Sequence, residues 1–295
     1  MCREFQDAIR AAGLISPDII TTGKIIAFAG LNKPKANRAA RCFLFPDRRG
    51  GWFQDFTTGL VEVWQMKRES PYTEQEREDF RRKCECDRAA REQAAREDNQ
   101  QAAAKARRIY KRAVSADAGN LYLHRKQIHP HGAKTGDSGR LKGVLIVPLF
   151  DGAIKLVNLQ FIHADGTKRF LSGGKKKCCF WWLGKKTPTV LIAEGFATAA
   201  SLHEHTGHQV FIAFDAGNLA NVAKIVRAKN PNAEIIIMGD NDKNGTGQNA
   251  AIAAALASGG KYLIPPTVGH DWNDHLTAIR TAENSRIAEI AEVVR

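Results

Sequence analysis

The last third of the chain alternates short apolar runs with segments of helical period. Thr189–Ala193, Gln209–Phe214, Glu234–Met238 and Lys261–Ile264 are such runs. Helical patterns follow them through His203, over Leu219–Lys229, over Gln248–Ser258 and over Asp274–Val294. Apolar strands of this length, each followed by a helix, predict an α/β domain with a largely parallel sheet flanked by helices. Upstream, Leu141–Phe150, Ala153–Ile162 and Lys168–Leu171 read as an antiparallel meander turning at Asp151-Gly152 and Asp165-Gly166. In the middle strand Ile154, Leu156 and Asn158 alternate with Lys155, Val157 and Leu159.

From Thr73 to Ala116 there is neither glycine nor proline, and the residues are mostly the helix formers Ala, Glu, Gln, Arg and Lys, with a thin face of alanines. This predicts a charged helical connector bounded by Pro71 and Gly119, with a break near Asp98-Asn99. Before it, a helix over Cys2–Ala12 and short strands within Ala40–Phe45, Gly50–Phe53 and Leu60–Trp64 predict a small irregular module. The expected division is 1–68 N-terminal module, 69–118 connector, 119–188 basic mixed α+β subdomain and 189–295 α/β domain.

Charge sharpens this picture. The 295 residues carry a formal charge of +13, unevenly spread: residues 166–189 hold seven basic and no acidic groups, whereas 190–295 sum to −3. A strongly positive stretch beside an acidic domain predicts a polyanion surface next to a carboxylate site. No apolar run reaches the ~18–20 residues of a membrane helix, and Met1-Cys2-Arg3 has no apolar stretch behind it, so a cytoplasmic setting is expected. The six cysteines form no pair of CxxC knuckles, so no zinc is expected.

Candidate chemistry lies at the strand ends, where ligands of open α/β sheets bind. Glu194 ends the first run, Asp240-Asn241-Asp242 the third, and Asp271-Trp272-Asn273-Asp274 follows the fourth. Converging carboxylates call for a hard cation, Mg²⁺ or Mn²⁺. Asp274 serves equally well as a helix cap, Asp215 as a turn residue, and Lys243 as a phosphate ligand or a solvated turn lysine. Asn218 is a candidate cap of its helix. Lys168, Arg169, Lys175, Lys176 and Lys177 form the core of the basic stretch, suited to phosphates. Trp181 and Trp182 beside them suit either base stacking or packing, with Trp182 the more buried of the two on the packing reading. His124, His129 and His131 fall in a loop with no pattern that separates a phosphate role from solvent exposure. Neither a P-loop nor a G-x-S-x-G elbow is present.

Leu191-Ile-Ala-Glu-Gly-Phe-Ala-Thr-Ala199, Val210-Phe-Ile-Ala-Phe-Asp-Ala-Gly-Asn218 and Ile236-Ile-Met-Gly-Asp-Asn-Asp242 resemble the Toprim domains of bacterial-type DNA primases, nearest to those of conjugative plasmids, phages and mobile elements. Leu145–Phe161 with Gly166–Gly173 resembles the basic subdomain that precedes Toprim there. The resemblance implies template-directed synthesis of short RNA primers on single-stranded DNA from NTPs. Glu194, Asp240 and Asp242 would hold Mg²⁺ or Mn²⁺, with Asp274 as a further carboxylate, and Lys168 and Arg169 would bind phosphates. Arg41–Asp47 and Gly51–Asp55 resemble the course of a primase zinc ribbon, yet only Cys42 matches a ligand. A separate helicase or mobile-element replication protein is the implied partner. The same carboxylates also serve metal-dependent nucleases, and a non-catalytic single-strand-binding adaptor is the remaining alternative.

Overall fold

The computed structural model describes residues 3–66 and 73–293. The expected helix boundary at Pro71 lies outside them. The chain divides into two units, Met1–Cys84 and Glu85–Arg295.

In the first unit, α1 (Arg3–Ala11) turns Phe5 and Ile9 onto a four-stranded antiparallel meander. Its strands are β1 (Ile25–Phe28), β2 (Ala40–Leu44), β3 (Gly50–Asp55) and β4 (Leu60–Gln65). β1 was not apparent in the hydrophobic pattern. The strand period decides the role of Cys42: it alternates with exposed Arg41 and packs with Phe5, Leu44 and Phe53. Burial pushes its thiol up to about 11, so Cys42 behaves as a small apolar side chain.

Helix α2 (Glu74–Arg112) runs 39 residues without interruption, about 58 Å at 1.5 Å per residue. The break expected at Asp98-Asn99 is absent, because neither residue removes a backbone donor from the continuous helical ladder; Asp98 is exposed and Asn99 half-buried. Thr73 starts it as a capping box: Glu76 N–H donates to Thr73 Oγ1 at 3.2 Å, and Thr73 N–H donates to Glu76 Oε2 at 2.9 Å. Only Ala102, Ala103 and Ala106 of α2 are buried.

The second unit holds two sheets. The first is antiparallel, in the order β5 (Val114–Ser115), β6 (Lys134–Thr135), β7 (Leu145–Phe150), β8 (Leu156–Ile162) and β9 (Lys168–Phe170), with α3 (Leu121–Lys126) between β5 and β6. The expected alternation along β8 fails. From Asn158 to Ile162 every residue is buried, since Leu159 and Phe161 pack with Ala102 and Ala106 of α2 while Ile162 faces the other core. Ile154 lies in the left-handed region (φ 60°), so residues before Leu156 form a turn. β7 likewise starts four residues later than expected, after a 3₁₀ turn at Gly139–Leu141.

The second sheet contains β10 (Trp181–Leu183), β11 (Thr189–Ala193), β12 (Gln209–Ile212), β13 (Glu234–Met238) and β14 (Lys261–Leu263), in the order β10-β12-β11-β13-β14. β11, β12, β13 and β14 are parallel, and β10 is an antiparallel edge. Helices α4 (Phe196–Thr206), α5 (Ala216–Lys229), α6 (Thr246–Ser258) and α7 (Trp272–Val293) follow successive parallel strands. The tryptophan assignment is reversed. Trp181 is 8% exposed and stacks on Phe196, while Trp182 is half-buried among Phe150, Phe180 and Phe211. β10 puts Trp181 on the core face, where it is closed to base stacking. No helix among the described residues is long and apolar enough to cross a membrane.

Candidate active site

Parallel register brings the carboxylates together. Ala193 pairs with Met238 on one side and Ile212 on the other, so Glu194, Asp240 and Asp215 leave neighbouring strand ends at the same edge. Phe214 supports this placement by adopting φ 70°, uncommon for a bulky residue, as the chain enters the α5 cap at Asp215.

The cluster is electrostatically loaded. Burial, then Glu194, Asp271 and Asp242, push the Asp240 carboxyl up to about 7, with Lys168 opposing. Glu194 is also raised, by burial first, against the pull of Lys168. Asp240 Oδ1 is buried without a hydrogen-bond partner. An orphaned anionic oxygen among mutually repelling carboxylates fits a hard divalent cation. These groups offer oxygen donors only, with no thiolate or imidazole among them.

The surrounding loops are fixed by polar contacts. Gly247 N–H at the start of α6 donates to Asp242 Oδ2 at 2.9 Å. A methyl group on Gly247 would come within 2.6 Å of the Asp240 carbonyl oxygen, so only glycine lets the helix approach this closely. Asn241 turns away from the cluster: its amide donates to Pro265 O at 2.8 Å and its Oδ1 accepts from Gln248 at 2.7 Å.

The other predicted residues divide. Lys168 reaches the cluster; its Nζ would lie 3.4 Å from a methyl on Gly195. Arg169 is its neighbour on a strand and points to the opposite face. Lys176 pairs with Asp215 at 2.8 Å and lies over the Phe170 ring. Lys175 and Lys177 are exposed on the same loop, and Lys243 is exposed on the turn after Asp242. Asp274 receives Lys126 at 3.1 Å and caps α7 together with Asp271, whose Oδ1 accepts the Asp274 N–H at 2.8 Å. Asp271, rather than Asp274, is the member of this pair whose charge acts on Asp240.

Two features escaped the sequence. Asn218 does not cap α5, a position held by Asp215. Its buried amide instead accepts from Cys178 N–H at 2.8 Å and donates to Cys179 O at 2.9 Å and Ala213 O at 2.8 Å, pinning the lysine loop. Away from the carboxylates, His129, His131 and Glu204 form a cluster able to hold a divalent metal, with one ligand atom of each within 4.8 Å of the others. The His-x-His spacing was its only sequence signal, because Glu204 lies 73 residues from His131.

Residues 189–280 match the family model of the Toprim domain. This part of the chain is a Toprim domain. The chain is related to the TraC-type DNA primases. A DNA primase TraC of Escherichia coli is 43% identical over 131 residues, covering 40% of this chain and 9% of that protein. Another DNA primase TraC of Escherichia coli is 34% identical over 233 residues, covering 73% of this chain and 21% of that protein. The chain therefore spans about a fifth or less of the length of these curated relatives. Among solved structures, the primase fragment of the bacteriophage T7 primase-helicase protein is similar at 14% identity and a TM-score of 0.43, over 92% of this chain and 100% of that one. The matched residues include Glu194, Asp240 and Asp242, while Lys168 lies before them on β9.

Proposed function

We propose that this chain is a DNA primase that makes short RNA primers on single-stranded DNA by metal-dependent nucleotidyl transfer. The observation that carries the reading is the meeting of Glu194, Asp240 and Asp242 with the ammonium of Lys168, inside a chain related to primases.

Glu194, Asp240 and Asp242 would hold Mg²⁺ or Mn²⁺, whose Lewis acidity lowers the pKa of an attacking 3′-hydroxyl and offsets charge on the α-phosphate and pyrophosphate. Lys168 places a positive charge beside these carboxylates, where it binds the triphosphate of an incoming NTP. Lys176, held by Asp215, with Lys175 and Lys177 on the same loop, tracks the phosphates of the template strand. Arg169 and Lys243 flank this path, the first on the far face of β9 and the second on the turn after Asp242. Asp274 holds Lys126 and, through the shared cap, fixes Asp271 near Asp240. In the proposed division, residues 1–68 are a zinc-less template-recognition module, 69–118 a connector, 119–188 the basic subdomain and 189–295 the Toprim domain. Strand opening falls to a separate helicase or mobile-element replication protein.

Product direction tests the reading. With single-stranded DNA, NTPs and Mg²⁺ or Mn²⁺, primers lengthen on NTP addition. DNA that shortens without NTPs would make the same carboxylates a nuclease centre, and DNA binding without either product would make the chain an adaptor.

A further inference from the structure

We propose that His129, His131 and Glu204 form a second metal site, for a borderline transition-metal dication of the Zn²⁺ type, which clamps the loop after α3 onto α4. The donor set is two imidazoles and one carboxylate, a combination that suits Zn²⁺, Co²⁺ or Ni²⁺ and differs from the all-oxygen Toprim cluster. Absence of zinc was expected from the cysteines alone, and this site uses none.

The geometry is close to what an ion requires. Bonds of ~2.0–2.1 Å to nitrogen and oxygen at tetrahedral angles place ligand atoms about 3.3 Å apart. Glu204 Oε1 lies 2.7 Å from His131 Nε2 and 3.4 Å from His129 Nδ1. The backbone is built to present both rings. His131 adopts φ 45° and Gly132 φ 85°, and Ala133 N–H donates to Pro130 O at 2.8 Å, closing a tight turn around the His-x-His pair. The His129 N–H donates to the same Glu204 Oε1 at 2.7 Å, so this carboxylate already organises the loop.

Position makes the site accessible and specific. Glu204 is 16% exposed at its floor, while His129 is 77% exposed at its mouth, leaving an entry path and room for water as a fourth ligand. Arg280 Nη1 lies 3.7 Å from Glu204 Oε2 and neutralises the oxygen that faces away from the imidazoles. Oε1 accepts the His129 N–H with one lone pair and keeps the other for the ion, which takes the place of the proton shared with His131. His203 walls the site: its ring is 5.3 Å from that of His131, and its Nδ1 is engaged by His208 O at 2.7 Å.

The consequence is mechanical. The loop begins at the end of α3, whose Lys126 contacts Asp274, and Glu204 sits on α4, the helix that follows Glu194. An ion here ties the basic subdomain to the Toprim domain without touching the carboxylate cluster.

The test is metal titration of the untagged, metal-stripped full chain with Co²⁺ and Zn²⁺, by calorimetry and by competition with a chromophoric chelator. Since losing even an outer-shell partner weakens metal sites about 10- to 100-fold, the pair His129→Ala/His131→Gln is expected to lose one equivalent by at least that factor. Asp240→Asn/Asp242→Asn is expected to keep it, and Zn²⁺ is expected to raise the Tm of the unaltered chain. His129→Ala alone, at an exposed side chain, provides a variant whose fold is not in question and is expected to weaken the same equivalent. Equal Co²⁺ and Zn²⁺ binding by the histidine variants and the unaltered chain, or no binding by the latter, would overturn the proposal.

Discussion

Lys126 at the end of α3 and Asp274 in the first turn of α7 meet at 3.1 Å across 148 residues of sequence. Beside them, buried Asn273 donates to Lys126 O and to Ser201 Oγ, both at 2.8 Å. The junction of α3 with α7 and α4 therefore combines a half-exposed ion pair with a buried amide. The two should differ in worth. Lys126→Met is expected to cost less than ~1 kcal/mol, as for other partly exposed pairs. Asn273→Ala strands a buried carbonyl and hydroxyl and is expected to cost about 1–3 kcal/mol. Urea unfolding of both variants checks the order.

Stability of the metal-free chain should depend on pH through Asp240. Its carboxyl is raised to about 7 in the fold, mainly by burial and then by Glu194. A raised acid favours the folded state while it is protonated, so its contribution is lost as pH rises from the ordinary carboxylate range toward about 7. Tm measured in chelator is expected to fall over this interval, and Asp240→Asn to flatten the decline. Apparent Mn²⁺ affinity is expected to move the other way, rising as Asp240 loses its proton. A pH-independent Mn²⁺ affinity between about pH 5 and 7.5 would contradict the assignment.

Gly247→Ala tests the close approach of α6 to the acidic loop. Its methyl would lie 2.6 Å from Asp240 O and 3.1 Å from Asp242 Oδ2. Overpacking of this kind costs about 1–3 kcal/mol. The shift should also displace Asp242, so Mn²⁺ affinity by electron paramagnetic resonance is expected to drop along with stability.

Asn218→Ala should loosen the lysine loop. It removes one acceptor and the donors that hold Cys178, Cys179 and Ala213, leaving backbone groups unpaired at a cost of about 1–3 kcal/mol. Fluorescence anisotropy with single-stranded DNA is expected to report weaker binding, whereas Mn²⁺ affinity stays near that of the unaltered chain.

The parts legible in the sequence were those governed by local periodicity. The run Glu234–Met238 is β13 residue for residue, and the strand ends carry Glu194 and Asp240 as expected. What escaped depended on contacts distant in sequence. β8 lost its alternation because α2 covers its second face. Trp181 was misplaced because β10 is three residues long and joins the sheet antiparallel beside β12, a pairing no local pattern specifies. Asn218 resembled a cap because its local setting suits one, yet its partners Cys178 and Cys179 lie about 40 residues upstream. Asp271 was overshadowed by Asp274, although acids at both positions of a capping box give each one a structural task.

The most direct test is primer synthesis by the unaltered chain and by Asp240→Ala/Asp242→Ala. Both are incubated with mixed-sequence single-stranded DNA, labelled NTPs and Mg²⁺ or Mn²⁺, and products are resolved by length. A ladder of short oligoribonucleotides that disappears in the double variant is the predicted result. A ladder that survives the loss of both aspartates, or its absence from the unaltered chain under either metal, would contradict the account.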